Sequence, residues 1–199
     1  MGKKWLVPGI IIGGIVVVIG LVFIGSYNGL VGQREQVTAK FSNLQAQYQR
    51  RADLIPNLVS TVKGAANFEQ ETLTTVTEAR AKATSITIDP SNATPEQLQQ
   101  YQNAQGELSQ ALGRLLAVSE NYPQLTATQN FRDLQNQLEG TENRITVARN
   151  DYNDTARPYN TRLQTFPTNV VAGMFGFEQK PYFEADEGTE NAPKVDFNE

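Results

Sequence analysis

The chain is 199 residues long, carries a formal charge of −4 and contains neither cysteine nor histidine. That double absence excludes disulfides, Cys/His zinc sites, haem or copper held by these residues, and every nucleophilic site built on a Ser-His or Cys-His pair. Lys3 and Lys4 are the only charges before Arg34, so without those two lysines the remainder stands at −6, and an acidic domain with no basic stripe argues against nucleic acid as a partner.

From Trp5 to Ile24 runs "WLVPGIIIGGIVVVIGLVFI", twenty residues without a charge. At 1.5 Å per residue that is enough helix to cross a hydrocarbon core of about 30 Å. A cleavable signal peptide would have a shorter apolar region and a small-x-small exit, whereas "FIGS" puts Phe23 two residues before Gly25. The expectation is an uncleaved anchor in the cytoplasmic membrane. Lys3 and Lys4 place the N-terminus inside and the rest of the chain outside by the positive-inside rule. "MGKKWL" has Leu6 where a myristoylation motif needs Ser or Thr, so lipidation is not expected. Gly9 and Gly13, in "GIIIG", have the spacing that lets two membrane helices pack closely. A tail of residues 1–4 is too short to carry an output module, so anything sensed outside must be read by another protein.

Beyond Tyr27, apolar residues recur at alternating steps of three and four: Val37, Phe41, Leu44, Tyr48, Arg51, Ile55, Leu58 and Val62, with Arg51 out of character. This is helix periodicity, continuing from the span for about 60 Å. Pro56 interrupts it, frees the carbonyl of Ala52 and predicts a bend. "VKGAANFEQE" reads as a stop at Gly64 and a restart capped by Asn67 with Gln70 as reciprocal partner. The second helix is then expected over Phe68–Ala83, on Leu73, Val76, Ala79 and Ala83. "TSITIDPSNATPEQ" is a loop ending in Thr94-Pro95-Glu96-Gln97, an N-cap with proline at the first helical position and a capping glutamine. The third helix uses Leu98, Tyr101, Leu108, Leu112 and Leu115, ends at Ser119 and is closed by "NYP" at Pro123. A long fourth helix follows through Phe131, Leu134, Leu138, Thr141, Ile145, Ala148, Tyr152, Thr155, Tyr159 and Phe166, interrupted by Pro158. "NVVAGMFGF" is apolar and expected to dock on the bundle or the bilayer. From Glu184 onward, six acidic residues and one lysine with little apolar content read as a disordered tail.

The reading is an all-α chain: a tail (1–4), a membrane helix (5–24), an antiparallel up-down bundle (25–166), an apolar C-terminal segment (167–183) and an acidic tail (184–199). The bundle has two long and two short helices, or three long ones if the first is unbroken to Ala83. Antiparallel pairing of the long helices sets Leu30 beside Phe166 and Val62 beside Phe131. Arg51 then faces Glu142, and an ion pair is expected there, extended by Arg80 and Arg149. Its expected role is to fix register, not to catalyse. "STVK", Ser60 to Lys63, has the S-x-x-K spacing of serine–lysine acyltransferases, but no S-D-N or K-T-G element accompanies it. Glu69 with Glu71, and Glu139 with Glu142, read as solvated helix faces, since no calcium loop or Glu-x-x-His pair is present. No metal, cofactor or catalytic residue is assigned.

Several segments together resemble the LemA family of bacterial membrane-anchored proteins: "SYNGLVGQREQV", "QRRADLIPNLVSTVKGAANFE", "TEARAKA", "LSQALGRLLAVSENYPQL", "LEGTENRITVARNDYN", "YNTRLQTFP" and "FGFEQKPYF". They follow in order along nearly the whole chain, leaving only the acidic tail. The sequence departs from the family pattern at Ala65-Ala66-Asn67-Phe68, where that pattern often has Tyr and His. The resemblance implies a short tail, one membrane helix, a helical bundle and no enzymatic activity, metal or cofactor. Two functions are then expected to compete. One is a non-enzymatic scaffold of the bacterial envelope, acting as a homo-oligomer or on other membrane proteins. The other is an extracytoplasmic module binding a small molecule or peptide near Arg51, Arg149 and the tyrosines, with an unpaired charge in its pocket.

Overall fold

A single helix, α1 (Lys3–Lys63), carries the chain from the apolar segment into the folded domain without a break. At 1.5 Å per residue its 61 residues extend about 90 Å. The structure, a computed structural model, describes residues 3–64 and 68–184, and for 3–7 the backbone alone. The first third of α1 is long and apolar enough to cross a membrane. Among the described residues its large apolar side chains are mostly exposed: Ile10 is 74% and Leu21 65% exposed. From Leu30 onward the three/four spacing drives Val37, Phe41, Leu44, Tyr48, Ile55, Leu58 and Val62 into the core.

The remaining helices are α2 (Gln70–Ser85), α3 (Pro95–Ser119), the single turn α4 (Pro123–Thr126), α5 (Gln129–Gln164) and α6 (Thr168–Phe175). Among the described residues there is no strand. α1 and α5 pair antiparallel along most of their length, and α2 packs on α3. α1, α2, α3 and α5 make the up-down-up-down bundle. The chain leaves the helix after Lys63, so the three-helix alternative does not hold.

Several boundaries differ from the sequence reading. The Asn67 cap lies outside the described residues, and α2 begins at Gln70 rather than Phe68. Pro123 does not merely close α3, which ends at Ser119; it occupies the first turn of α4, the position where its missing N–H is harmless. The Thr94 expectation is met in full: its hydroxyl accepts from the Gln97 amide, and the Gln97 side chain accepts from the Thr94 amide. α5 runs through Pro158 to Gln164. Phe166, expected beside Leu30, is instead 78% exposed, because α5 stops two residues before it. Leu163 takes the core place in the same cluster as Leu30.

α2 and α3 do not reach the foot of the long pair. The α2–α3 loop lies level with the middle of α1, where the Gln45 side-chain amide donates to the Ile88 carbonyl at 3.0 Å. Below that level the open side of α1 and α5 is covered by α6 and by residues 177–184. α6 ends at Gly176, whose φ of 67° is the left-handed conformation a residue with Cβ resists. That turn sends the chain back up along α5.

Candidate functional site

Two apolar clusters form the core. One holds Phe41, Leu44, Tyr48, Tyr152 and Phe183, the other Ile55, Leu58, Leu108, Leu115 and Phe131. Between them sits a polar layer centred on Arg51, which is 1% exposed. Arg51 occupies an inward position of the α1 apolar series, so helix geometry alone sends its guanidinium into the bundle. A buried charge is tolerable only when paired and hydrogen-bonded. Its Nη1 donates to Glu142 at 2.7 Å and to the Ser109 hydroxyl at 2.6 Å. Its Nη2 donates to the Gln105 side-chain oxygen at 2.6 Å and the Gln105 carbonyl at 3.1 Å. The Tyr48 ring lies 5.3 Å from the guanidinium carbon, within cation–π range.

The four residues expected in one ion-pair network take different partners. Arg51 and Glu142 meet, and the same register sets Lys40 on Asp151 at 2.7 Å and the Phe41 ring 5.5 Å from that of Tyr152. The Arg149 Nε donates to the Tyr48 hydroxyl at 2.7 Å, and its guanidinium lies 5.8 Å from both the Tyr48 and Phe183 rings. Arg80 does not extend the pair. Its Nε donates to the carbonyl of Ala52 at 2.7 Å. That carbonyl lost its helical donor because Pro56, four residues on, has no N–H. The charge on α2 therefore caps the defect that the proline makes in α1, and α1 continues as α-helix through it.

Gln105 and Ser109 were missed by the sequence reading. The available signal was that Gln105 falls among Tyr101, Leu108 and Leu112 on the apolar stripe of α3, and it is 4% exposed. Its side-chain nitrogen donates to the Ala83 carbonyl at 3.3 Å, joining α2 to the layer. Burial raises the Tyr101 phenol above its ordinary value, and the neighbouring Tyr48 adds to this, against the lowering effect of Arg51 and Arg149.

A second missed feature is the strap of residues 177–184. Three side-chain amides hold its backbone, each accepting from the N–H and donating to the C=O of one residue. Asn160 holds Lys180 at 2.8 and 2.7 Å, Asn153 holds Phe183 at 3.0 and 2.8 Å, and Gln102 holds Glu184 at 3.3 and 2.9 Å. The Tyr159 and Tyr152 hydroxyls donate to the Glu178 and Pro181 carbonyls. The Lys180 ammonium, buried, donates to the carbonyls of Pro90 and Ser91 in the α2–α3 loop. Burial pulls its pKa below the ordinary lysine value. Glu184, expected to open the disordered tail, is thus tied to α3; residues 185–199 lie outside the described residues.

Elsewhere, Ser60 and Lys63 are both exposed on α1. Glu69 accepts from the Thr72 hydroxyl at 3.1 Å and Glu139 from the Gln135 amide at 3.0 Å. Gly9 and Gly13 stand open, with nothing within 4 Å of a Cβ built on either. A groove of about 470 Å³ runs past Ser109, Leu138 and Glu142, and one of about 160 Å³ past Tyr48, Tyr101 and Gln105. The Arg51, Arg80 and Arg149 side chains line neither. Chemically the layer is a lock: groups from α3 and α5 hold both Nη nitrogens of the α1 charge, though its buried Nε has no partner among the described residues, and the backbone of α1 holds the charge from α2.

Comparison with known proteins matches residues 40–197 to the model of the LemA family. The chain is 30% identical over 175 residues to magnetosome protein MamQ 1 and to MamQ 2 of Paramagnetospirillum magneticum, covering 79% of this chain and 64% of each relative. It thus spans just under two thirds of the length of those relatives. It is 27% identical over 166 residues to protein LemA of Metamycoplasma hominis, covering 83% of this chain and 72% of that protein.

Proposed function

This chain belongs to the LemA family, and from that premise we propose that it is a non-enzymatic, membrane-anchored helical scaffold of the bacterial envelope. Residues 5–24 cross the cytoplasmic membrane once, Lys3 and Lys4 stay on the cytoplasmic side, and the bundle stands outside. It acts by self-association, with other membrane proteins as further partners. One observation carries the reading: α1 is one uninterrupted helix from an unpacked apolar stretch into the bundle core. A rigid link of that kind makes the orientation of the bundle follow the anchor, so helices paired through Gly9 and Gly13 would bring their bundles side by side. The competing module with an unpaired pocket charge has less support, since Arg51, Arg80 and Arg149 are all engaged by groups of the bundle itself.

The test is the mass of the full-length protein in mild detergent, by light scattering with correction for bound detergent. The expected result is a discrete assembly that dissociates in the Gly9→Ile/Gly13→Ile variant and in a chain beginning at Ser26. A monomer in all three would end the self-association reading and turn the search to a heterologous partner.

A further inference from the structure

We propose that α6 lies in the bilayer interface beside the span, with Phe166, Val170, Met174 and Phe175 among the lipids and Arg162 at the level of their phosphates. The proposal rests on the reading that residues 5–24 cross the membrane.

The first argument is where apolar surface is left bare. Among the described residues beyond the span, the large exposed hydrophobics are Tyr27, Val147, Phe166, Val170, Met174, Phe175 and Tyr182. Five of these seven lie between residues 166 and 182, so the exposure is a patch and not scatter. α6 buries Thr168, Val171 and Ala172 against α1 and α5. Its opposite side leaves Val170 43% and Met174 67% exposed, and Phe175, at its last turn beside Tyr27, is still 57% exposed. A helix with two apolar sides, one covered by the bundle, needs a second apolar medium on the other.

The second argument is height. Tyr27 follows Ile24 by three residues, about 4.5 Å along α1. The headgroup layer on each side of the hydrocarbon is about 5–7.5 Å deep. Tyr27 touches α6 directly, its ring 4.8 Å from that of Phe175, and meets the start of the strap at Phe177, 5.6 Å away. α6 is therefore held at the depth where aromatic residues collect at membranes. The patch also continues the bare surface of the span itself, through Val22, Ile24 and Tyr27.

The third argument is charge. The Arg162 guanidinium lies over Gly29, at a place a Cβ would occupy, and Gly29 is five residues past Ile24, about 7.5 Å along α1. Among the described residues no carboxylate pairs with Arg162. A cation without a protein partner at phosphate depth has a lipid partner at hand. The eight residues of α6 would bind a membrane weakly alone. Tethered at the foot of the anchor, they need no independent affinity, because the span keeps them at the surface.

Trp5 is the only tryptophan, so a tryptophan can be moved through the full chain in a Trp5→Phe background. Three variants, Met174→Trp, Val16→Trp in the span and Gln124→Trp at the far tip, are reconstituted in phosphatidylcholine/phosphatidylglycerol vesicles. Quenching is read with two lipids, one brominated close to the headgroup and one deep in the acyl chains, and the stronger of the two is taken at each position, since Val16 lies about 12 Å below Ile24. The tryptophan at position 174 should be quenched at least about half as strongly as the one at position 16, while that at 124 is unaffected. Phe175→Trp serves where Met174→Trp misfolds by circular dichroism. No quenching at 174 or 175 with strong quenching at 16 overturns the interfacial placement, and a blue-shifted but unquenched emission there assigns the patch to a second copy of the chain instead. No quenching at 16 overturns the membrane anchor, and the proposal with it.

Discussion

The buried ion pair predicts an asymmetry between its two partners. Arg51 is 1% exposed, while the Glu142 side chain is 40% exposed. In Glu142→Ala the guanidinium keeps Ser109 and Gln105 but loses its carboxylate, and only the groove past Ser109 is left to bring water to it. Breaking a buried pair from one side costs about 3–5 kcal/mol, and the partial exposure of Glu142 brings that down to about 2–3 kcal/mol. Arg51→Met removes the costly charge instead, and the abandoned carboxylate hydrates where it stands. What is lost is a donor to the Gln105 oxygen and the Ser109 hydroxyl, offset by an apolar side chain of comparable length, a net of about 1 kcal/mol or less. Urea unfolding of the full-length protein in mild detergent, followed by circular dichroism, should show Glu142→Ala lowering the midpoint by about 1 M and Arg51→Met by less than half of that. The double variant should resemble Arg51→Met alone. If Arg51→Met is the more damaging change, Arg51 holds the bundle by its packing and neutral hydrogen bonds, and the account of a charge needing its partner is wrong.

Three further outcomes follow from named contacts. Arg80→Ala strips the Ala52 carbonyl of its donor and should cost about 1.5–2 kcal/mol, but under about 0.5 kcal/mol in a Pro56→Ala background, where the restored N–H serves that carbonyl. Equal costs in the two backgrounds would disconnect Arg80 from the proline. Asn160→Leu removes both bonds to Lys180 and should cost about 2–3 kcal/mol, with hydrogen exchange rising across residues 178–184 before the rest of the chain; unchanged exchange there would mean the strap is held without its clamp. Burial raises the Tyr101 and Tyr152 phenols above their ordinary value of 10.0. Their contribution is complete below pH 10 and falls as pH climbs further, because the unfolded chain ionises first. Lys180 works the opposite way, since its lowered pKa makes stability rise with pH toward the ordinary lysine value. The melting temperature should fall above about pH 10, less steeply in Tyr152→Phe. A parallel fall in wild type and variant would assign the alkaline loss to other groups.

Much of the bundle was legible because helices advertise themselves through side-chain spacing. The three/four series in α1 named its buried residues, and the Thr94 box marked the start of α3. The antiparallel register that faces Arg51 with Glu142 needed only the two series and the assumption of short loops. Three things lay outside that reach. Gln105 and Ser109 are polar residues whose role depends on what lies opposite them, which periodicity does not encode. Clamping amides are not distinguishable from surface ones by spacing: Gln102, Asn153 and Asn160 look like solvated positions until an extended segment lies across them. That segment, residues 177–184, has no periodicity of its own because its hydrogen bonds go to side chains. Phe166 was misplaced for a related reason, since a repeat can outrun the helix that carries it.

The segments that carry the LemA resemblance meet one another in space through polar contacts. "QRRADLIPNLVSTVKGAANFE" supplies Arg51, "LEGTENRITVARNDYN" supplies Glu142, and "LSQALGRLLAVSENYPQL" supplies Ser109. "TEARAKA" sends Arg80 to the Ala52 carbonyl beside Pro56. "YNTRLQTFP" holds "FGFEQKPYF" through Asn160 and Lys180, and "SYNGLVGQREQV" meets that same last segment through Tyr27 and Phe177. Each contact answers a structural need: a buried charge, a carbonyl orphaned by proline, an extended backbone with no strand to pair with. Where α2 and α3 end, two long helices alone would leave Phe41, Tyr152 and Tyr159 bare, and the strap is what lets the long pair continue down to the apolar first third of α1. The motifs that carry the resemblance thus explain how α1 and α5 keep a fixed register, and the surfaces these contacts leave unused are the apolar first third of α1, the outer side of α6 and the far tip around α4.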